Sequence, residues 1–148
     1  MKKYKAAVIG CGNIFPMHAV SIVRCPNAEL VAVCDVKKDR ADAKAAEFGV
    51  KAYYDYIEML EKEEVDGILI GTRCNLHTEM AIKAMPKNVP LFLEKPVSTN
   101  IEDLDRLDEA RKKYNPRVVV SFPLRFADLA QLAKEPIDEG KIGEVLQV

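Results

Sequence analysis

Apolar residues fall along this chain in two alternating rhythms. Short, largely apolar runs occur at Ala6–Ile9, Glu29–Cys34, Lys51–Tyr54, Val65–Ile70, Val89–Leu93 and Arg117–Phe122. The first of them is apolar at every position, as expected of a strand covered on both faces. Between them the apolar positions are spaced for helices. A first helix begins near Asn13. A second, from Lys38 to Phe48, carries Ala41, Ala45, Ala46 and Phe48 and ends at Gly49, a C-cap residue. A short helix follows Asp55 with Ile57, Met59 and Leu60, and its charged end, Glu61 to Glu64, faces solvent. Leu76, Met80, Ala84 and Met85 mark another helix from about Asn75, which Pro86 helps to stop. The next is well marked: Thr99 and Glu102 read as a capping box, and Ile101, Leu104, Leu107, Ala110 and Tyr114 recur every three or four residues. After Pro123 a further helix carries Phe126, Leu129, Leu132 and Ala133, and Pro136 and Gly140 then bound a last strand-like stretch, Ile142–Val148. Strands alternating with helices, without internal repeat, predict an α/β fold with a doubly wound parallel sheet in the order 3-2-1-4-5-6. Ligands of such sheets bind where the first and fourth strands diverge.

The first run leads directly into chemistry. Ala6–Ile9 is followed by Gly10-Cys11-Gly12-Asn13-Ile14, and the second run delivers Asp35 at its end. Gly10 suits a tight turn, and Gly12 removes the side chain that would block a diphosphate. The helix after Asn13 points unpaired N–H groups at that anion. A carboxylate about 20 residues further on accepts hydrogen bonds from ribose hydroxyls and repels a 2′-phosphate, which favours NAD over NADP. Lys37, Lys38 and Arg40 lie close enough to soften that preference. The third glycine of the fingerprint is replaced by Phe15, so either the helix is slightly displaced or the ring turns outward. Pro16 is tolerated because first-turn amides have no intrahelical partner. The residues expected to matter, Gly10, Asp35, Thr72, Lys95 and Phe122, all fall at carboxyl ends of strands and hence on one edge of the sheet.

Composition narrows the class. The 148 residues suit one domain of ordinary size with a small appendage, and 49% hydrophobic with 30% charged residues is globular. A net charge of −1 provides no electrostatic case for nucleic acid or an anionic membrane as partner. No apolar run approaches a membrane span, and the basic start Met1-Lys2-Lys3-Tyr4-Lys5 passes straight into a strand rather than a leader. The expected compartment is the cytoplasm. Cys11, Cys25, Cys34 and Cys74 show no metal-ligand spacing, and no metal site is expected. Cys11 and Cys74 fall in turns near the cofactor crevice, where a small free Cys that fits the turn is favoured over a reactive thiol.

With Gly10-Cys11-Gly12-Asn13-Ile14, His18, Asp35, Gly71-Thr72 followed by His77, and Glu94-Lys95-Pro96 all in order, the chain resembles the glucose–fructose oxidoreductase / inositol dehydrogenase (Gfo/Idh/MocA) family. The resemblance implies a hydride transfer between NAD(P) and a hydroxyl carbon of a sugar, polyol or related molecule. It implies a dinucleotide-binding domain at residues 1–122, with 123–148 forming a connecting helix and the first strand of a second α/β domain that is otherwise absent. By the same resemblance Lys95 lies beside the nicotinamide and the substrate hydroxyl, and Glu94 and Thr72 border the cofactor. A lysine at a strand end in a crevice is a credible electrostatic or proton-transfer group; without the family it is an exposed charged turn. His77 borders the cofactor or serves as a capping or surface histidine, and His18 packs rather than reacts. Arg73 stands where relatives often have proline. Arg125 faces the substrate or is an exposed helix-start charge. The Lys95–Pro96 bond is cis or, by default, trans.

The family's general acid/base histidine belongs to the second domain, and only His18 and His77 are present here. The chain is therefore expected to bind NAD weakly without turning over, and its open last strand to pair with a second copy, exchange or stay loose. Two rival classes share features of this sequence. A non-catalytic NAD(H) sensor fits the missing half as well. An S-adenosylmethionine-dependent methyltransferase is disfavoured by the lack of a glycine at position 14 and by Glu94-Lys95-Pro96.

Overall fold

The structure is a computed structural model that describes residues 2–147. Strand β1 (Tyr4–Ile9) is followed by α1 (Phe15–Arg24), β2 (Ala28–Cys34), α2 (Lys38–Phe48), β3 (Lys51–Tyr53) and α3 (Tyr56–Lys62). Then come β4 (Gly67–Ile70), α4 (His77–Ala84), β5 (Leu91–Leu93), α5 (Ile101–Tyr114), β6 (Val118–Val120) and α6 (Asp128–Asp138). Short 3₁₀ turns lie at Cys74–Leu76, Met85–Lys87 and Pro123–Phe126. The strands form one six-stranded sheet in the order β3-β2-β1-β4-β5-β6, the order expected, and every pairing is parallel.

Two cores explain the apolar runs. On one face Ala7, Ile9, Ile68, Ile70, Leu91 and Leu93 meet Met59, Met80, Ala84 and Ala110 from α3, α4 and α5. On the other, Val8, Leu30 and Val33 meet Phe15, Ala19, Ile22 and Ala45 from α1 and α2. Successive strand residues point to opposite faces, so a strand sandwiched between helix layers must be apolar at every position. β1 shows it directly: Ala7, Val8 and Ile9 are all buried, and they divide between the two cores.

Several local expectations are corrected. Phe15 does not turn outward: its ring is fully buried and meets Phe48 edge-on, 5.7 Å between centroids. α2 presents only alanines, Ala41 and Ala45, as its fully buried residues, and the ring fills the room they leave. α1 opens at Phe15 rather than Asn13, with Pro16 in its first turn. The cap of α5 is Asn100, not Thr99. Its side chain accepts the Asp103 N–H at 2.7 Å and donates to the Asp103 carboxylate at 2.9 Å, while its own N–H goes to the Ser98 hydroxyl at 3.3 Å, so the cap sits one residue later without the reciprocal backbone bond. A Ser98 hydroxyl bonded to the Asn100 carbonyl at 2.8 Å holds that residue extended. α4 opens at His77 after a 3₁₀ turn rather than near Asn75.

At the C-terminal side, α6 runs through Pro136 to Asp138. Proline there removes a single N–H close to the helix end, and the chain turns at Gly140, φ +69°. The strand expected over residues 142–148 does not form across 142–147; Val148 lies outside the described residues. A strand requires a neighbour for its backbone groups, and these residues instead form a turn at Gly143, φ +72°, and open backbone. Among the described residues no helix is long and apolar enough to cross a membrane.

Candidate dinucleotide site

Strand register brings the predicted residues to one edge. Ile9 lies opposite Cys34 and Ile70, Ile70 opposite Leu93, and Leu93 opposite Val120. Ladder hydrogen bonds continue one step past the strands: Gly10 N–H to the Cys34 carbonyl (2.8 Å), Gly71 N–H to Ile9 (2.9 Å), Glu94 N–H to Ile70 (3.0 Å) and Ser121 N–H to Leu93 (2.9 Å). The loops that start at Gly10, Asp35, Gly71, Glu94 and Ser121 therefore leave the sheet from a common line.

The two glycines of the first loop have different physical reasons. Gly10 has φ +102°, and a Cβ there would lie 2.6 Å from the Gly71 carbonyl oxygen and 2.9 Å from Thr72 Cγ2. It is glycine because the chain leaving β4 at Gly71 and Thr72 passes against it. A Cβ on Gly12 would meet nothing within 4 Å. Its open side is a cradle rather than a packing contact. α1 begins beside it with no side-chain cap and no acidic residue in its first turn. The positive end of the helix and its free N–H groups are thus left without an anion of the chain's own. A diphosphate fits that arrangement.

Asp35 is held by this same loop. Its Oδ2 accepts the Cys11 N–H at 2.9 Å, and its Oδ1 accepts the Lys37 N–H at 2.9 Å. Each carboxylate oxygen retains acceptor capacity, so the group is oriented by the backbone yet able to take two hydroxyls. Cys11 itself is buried. Burial, reinforced by the Asp35 charge, pushes its thiol up to about 12, and burial together with Cys11 does the same to Cys34. Both stay protonated at neutral pH. They are packing residues, not nucleophiles.

Sequence reasoning did not foresee what lies behind Lys95. The Glu94 carboxylate points inward, buried, with Oε1 2.9 Å from His18 Nε2 of α1 and Oε2 accepting the Lys95 N–H at 3.3 Å. Glu94 is thus a support for Lys95 and α1 rather than a free acceptor at the crevice, and His18 packs as expected, edge-on to Phe92 at 5.3 Å. His77 is neither a surface residue nor a cap: it is buried, with Nδ1 2.7 Å from the Pro96 carbonyl and Nε2 3.1 Å from the Thr72 carbonyl. The Lys95 side chain is exposed, the Lys95–Pro96 bond is cis, and Lys95 borders a groove of about 810 Å³ that includes Val120, Phe122, Ile101 and Leu104. Arg125 is exposed in the Pro123–Phe126 turn, its guanidinium 5.9 Å from the Phe122 ring centre. Asn13 is exposed and Ile14 half-buried at the mouth of the loop. Among the described residues no group of three or more His, Cys, Asp or Glu could hold a metal ion.

A parallel sheet of this order, with a side-chain-free cradle at Gly12 and an anchored carboxylate ending β2, defines a dinucleotide-binding Rossmann domain. Comparison with known proteins agrees: residues 4–122 match the Gfo/Idh/MocA family model, described as an oxidoreductase family with an NAD-binding Rossmann fold, and the chain belongs to that family. Myo-inositol 2-dehydrogenase of Thermotoga maritima is 35% identical over 141 residues, covering 95% of this chain and 42% of that protein. The crystal structure of myo-inositol 2-dehydrogenase from Lactobacillus plantarum superposes with a TM-score of 0.91 at 31% identity, over 97% of this chain and 43% of that one. Scyllo-inositol dehydrogenase from Lactobacillus casei, solved with NAD(H) and scyllo-inositol, has a TM-score of 0.89 at 27% identity, over 97% of this chain and 43% of its own. The chain thus spans less than half the length of these relatives.

Proposed function

We propose that this chain is the NAD(H)-binding part of a dehydrogenase that oxidises a ring hydroxyl of an inositol-like polyol or sugar. One observation carries the choice of cofactor. The Asp35 carboxylate is fixed by the Cys11 and Lys37 amides beside the cradle at Gly12. A carboxylate locked in that orientation pairs with a ribose diol and cannot swing away from a 2′-phosphate, so NAD is preferred over NADP despite Lys37, Lys38 and Arg40 nearby. The names of the inositol dehydrogenases above support the substrate class.

In this reading the Gly10–Ile14 loop and the start of α1 take the diphosphate, Asp35 the adenosine ribose, the loop opening at Thr72 runs along the adenosine and diphosphate, and Lys95 takes the nicotinamide side. When bound, the nicotinamide supplies the hydride acceptor. The Lys95 ammonium orients the substrate hydroxyl and stabilises negative charge that develops on its oxygen; Arg125 is a further candidate at the substrate side. Neither histidine of the sequence is free to exchange a proton with substrate: His18 is buried on Glu94 and His77 on two carbonyls. The chain by itself accordingly binds NAD(H) without turnover.

The test is calorimetric titration with NADH and NADPH. NADH binds more tightly to the unaltered chain, and Asp35→Ser reduces or reverses the ratio by about tenfold or more, the loss of one or two charge-assisted hydrogen bonds. An unchanged ratio in Asp35→Ser refutes the cofactor assignment. Reduction of NAD by a polyol at a rate abolished in Lys95→Ala would refute the claim that the chain alone does not turn over.

A further inference from the structure

His77 is the first residue of α4 and is 1% exposed. Both of its ring nitrogens face carbonyl oxygens, Nδ1 toward Pro96 at 2.7 Å and Nε2 toward Thr72 at 3.1 Å. One contact reaches the loop after β4 and the other the segment after β5, so a single buried ring bridges the two.

We propose that His77 is the positioning residue for Lys95, tying the loop after β4 to the Lys95–Pro96 segment through two carbonyl oxygens. The proposal rests on the assignment of Lys95 to the nicotinamide side given above. Its anchoring is specific. The next residue, Thr78, donates its hydroxyl to the Val97 carbonyl at 3.0 Å, so the first turn of α4 grips two consecutive carbonyls after Lys95. Ahead of Lys95, its own N–H is taken by Glu94 at 3.3 Å. Backbone is therefore fixed on both sides of Lys95, while its side chain alone is free.

Titration with NADH and with ADP-ribose, which lacks the nicotinamide, tests the role. His77→Gln should weaken NADH by about tenfold and ADP-ribose much less, because only the nicotinamide side depends on the Lys95 segment. Equal losses for both, or no loss of NADH affinity, overturn the positioning role. If the unaltered chain binds neither ligand, the dinucleotide assignment itself falls, and the role of His77 toward Lys95 with it.

Discussion

Replacing each glycine of the first loop by alanine separates packing from ligand binding. At Gly10 the new methyl would sit 2.6 Å from the Gly71 oxygen and 2.8 Å from its carbonyl carbon, both backbone atoms, on a residue with φ +102°. Backbone strain of about 1–3 kcal/mol adds to overpacking of about 1–3 kcal/mol. A loss of roughly 2–6 kcal/mol is a large part of a total stability of about 5–15 kcal/mol. At Gly12 the methyl meets nothing within 4 Å. Gly12→Ala should leave stability unchanged or raise it by about 0.4–1 kcal/mol through lost unfolded-chain entropy. Yet that methyl occupies the cradle, and displacing a diphosphate from one or two backbone N–H groups costs about 1.5–3 kcal/mol for each charge-assisted bond, at least tenfold in affinity. Urea unfolding and NADH fluorescence titration measure the two effects. Gly10→Ala should unfold at markedly lower urea. Gly12→Ala should unfold like the parent and bind NADH at least tenfold more weakly. A Gly12→Ala chain that binds NADH as tightly as the parent refutes the placement of the diphosphate.

Two further outcomes follow from groups away from the crevice. Burial alone would push the Glu63 carboxyl up, but the Lys51 ammonium at 2.7 Å and the Tyr53 hydroxyl outweigh it and hold it below its ordinary value. A folded-state value below the unfolded one stabilises the fold above the ordinary carboxylate range of about 4.3 and loses that contribution as pH falls through the folded value. The urea midpoint difference between the parent and Glu63→Gln should therefore shrink on acidification; a difference that stays constant to strongly acid pH contradicts it. Asn100→Ala removes the acceptor for the Asp103 N–H and should cost about 1 kcal/mol by the same assay, whereas Thr99→Ala should cost far less; the reverse order would restore the cap to Thr99.

The apolar runs and glycine turns carried the fold in legible form because they act over short range. Ala7, Val8 and Ile9 must be apolar in succession to serve both faces, and Gly49 ends α2 in the left-handed conformation expected of it. Right-handed crossovers put helices on both faces of the parallel sheet, and the glycine turn with an acidic strand end matches the 3-2-1-4-5-6 order of dinucleotide-binding sheets. The misjudged places are those where a local rule had two adjacent solutions, as with Thr99 and Asn100, or where a partner was assumed, as with the strand over 142–148.

From its sequence alone this protein was determined to be a doubly wound sheet with a glycine turn, an acidic strand end and a lysine on one edge, since spacing and handedness need no knowledge of distant neighbours. Only the tertiary structure decided which side chains meet across that edge. Asp35 reaches the Cys11 amide across 24 residues, Glu94 reaches His18 across 76, and His77 reaches Pro96 across 19. The physical reason is the directionality of hydrogen bonds: whether a carboxylate or ring faces the ligand or the protein depends on where its partner's atoms lie, and those positions exist only once the layers have packed.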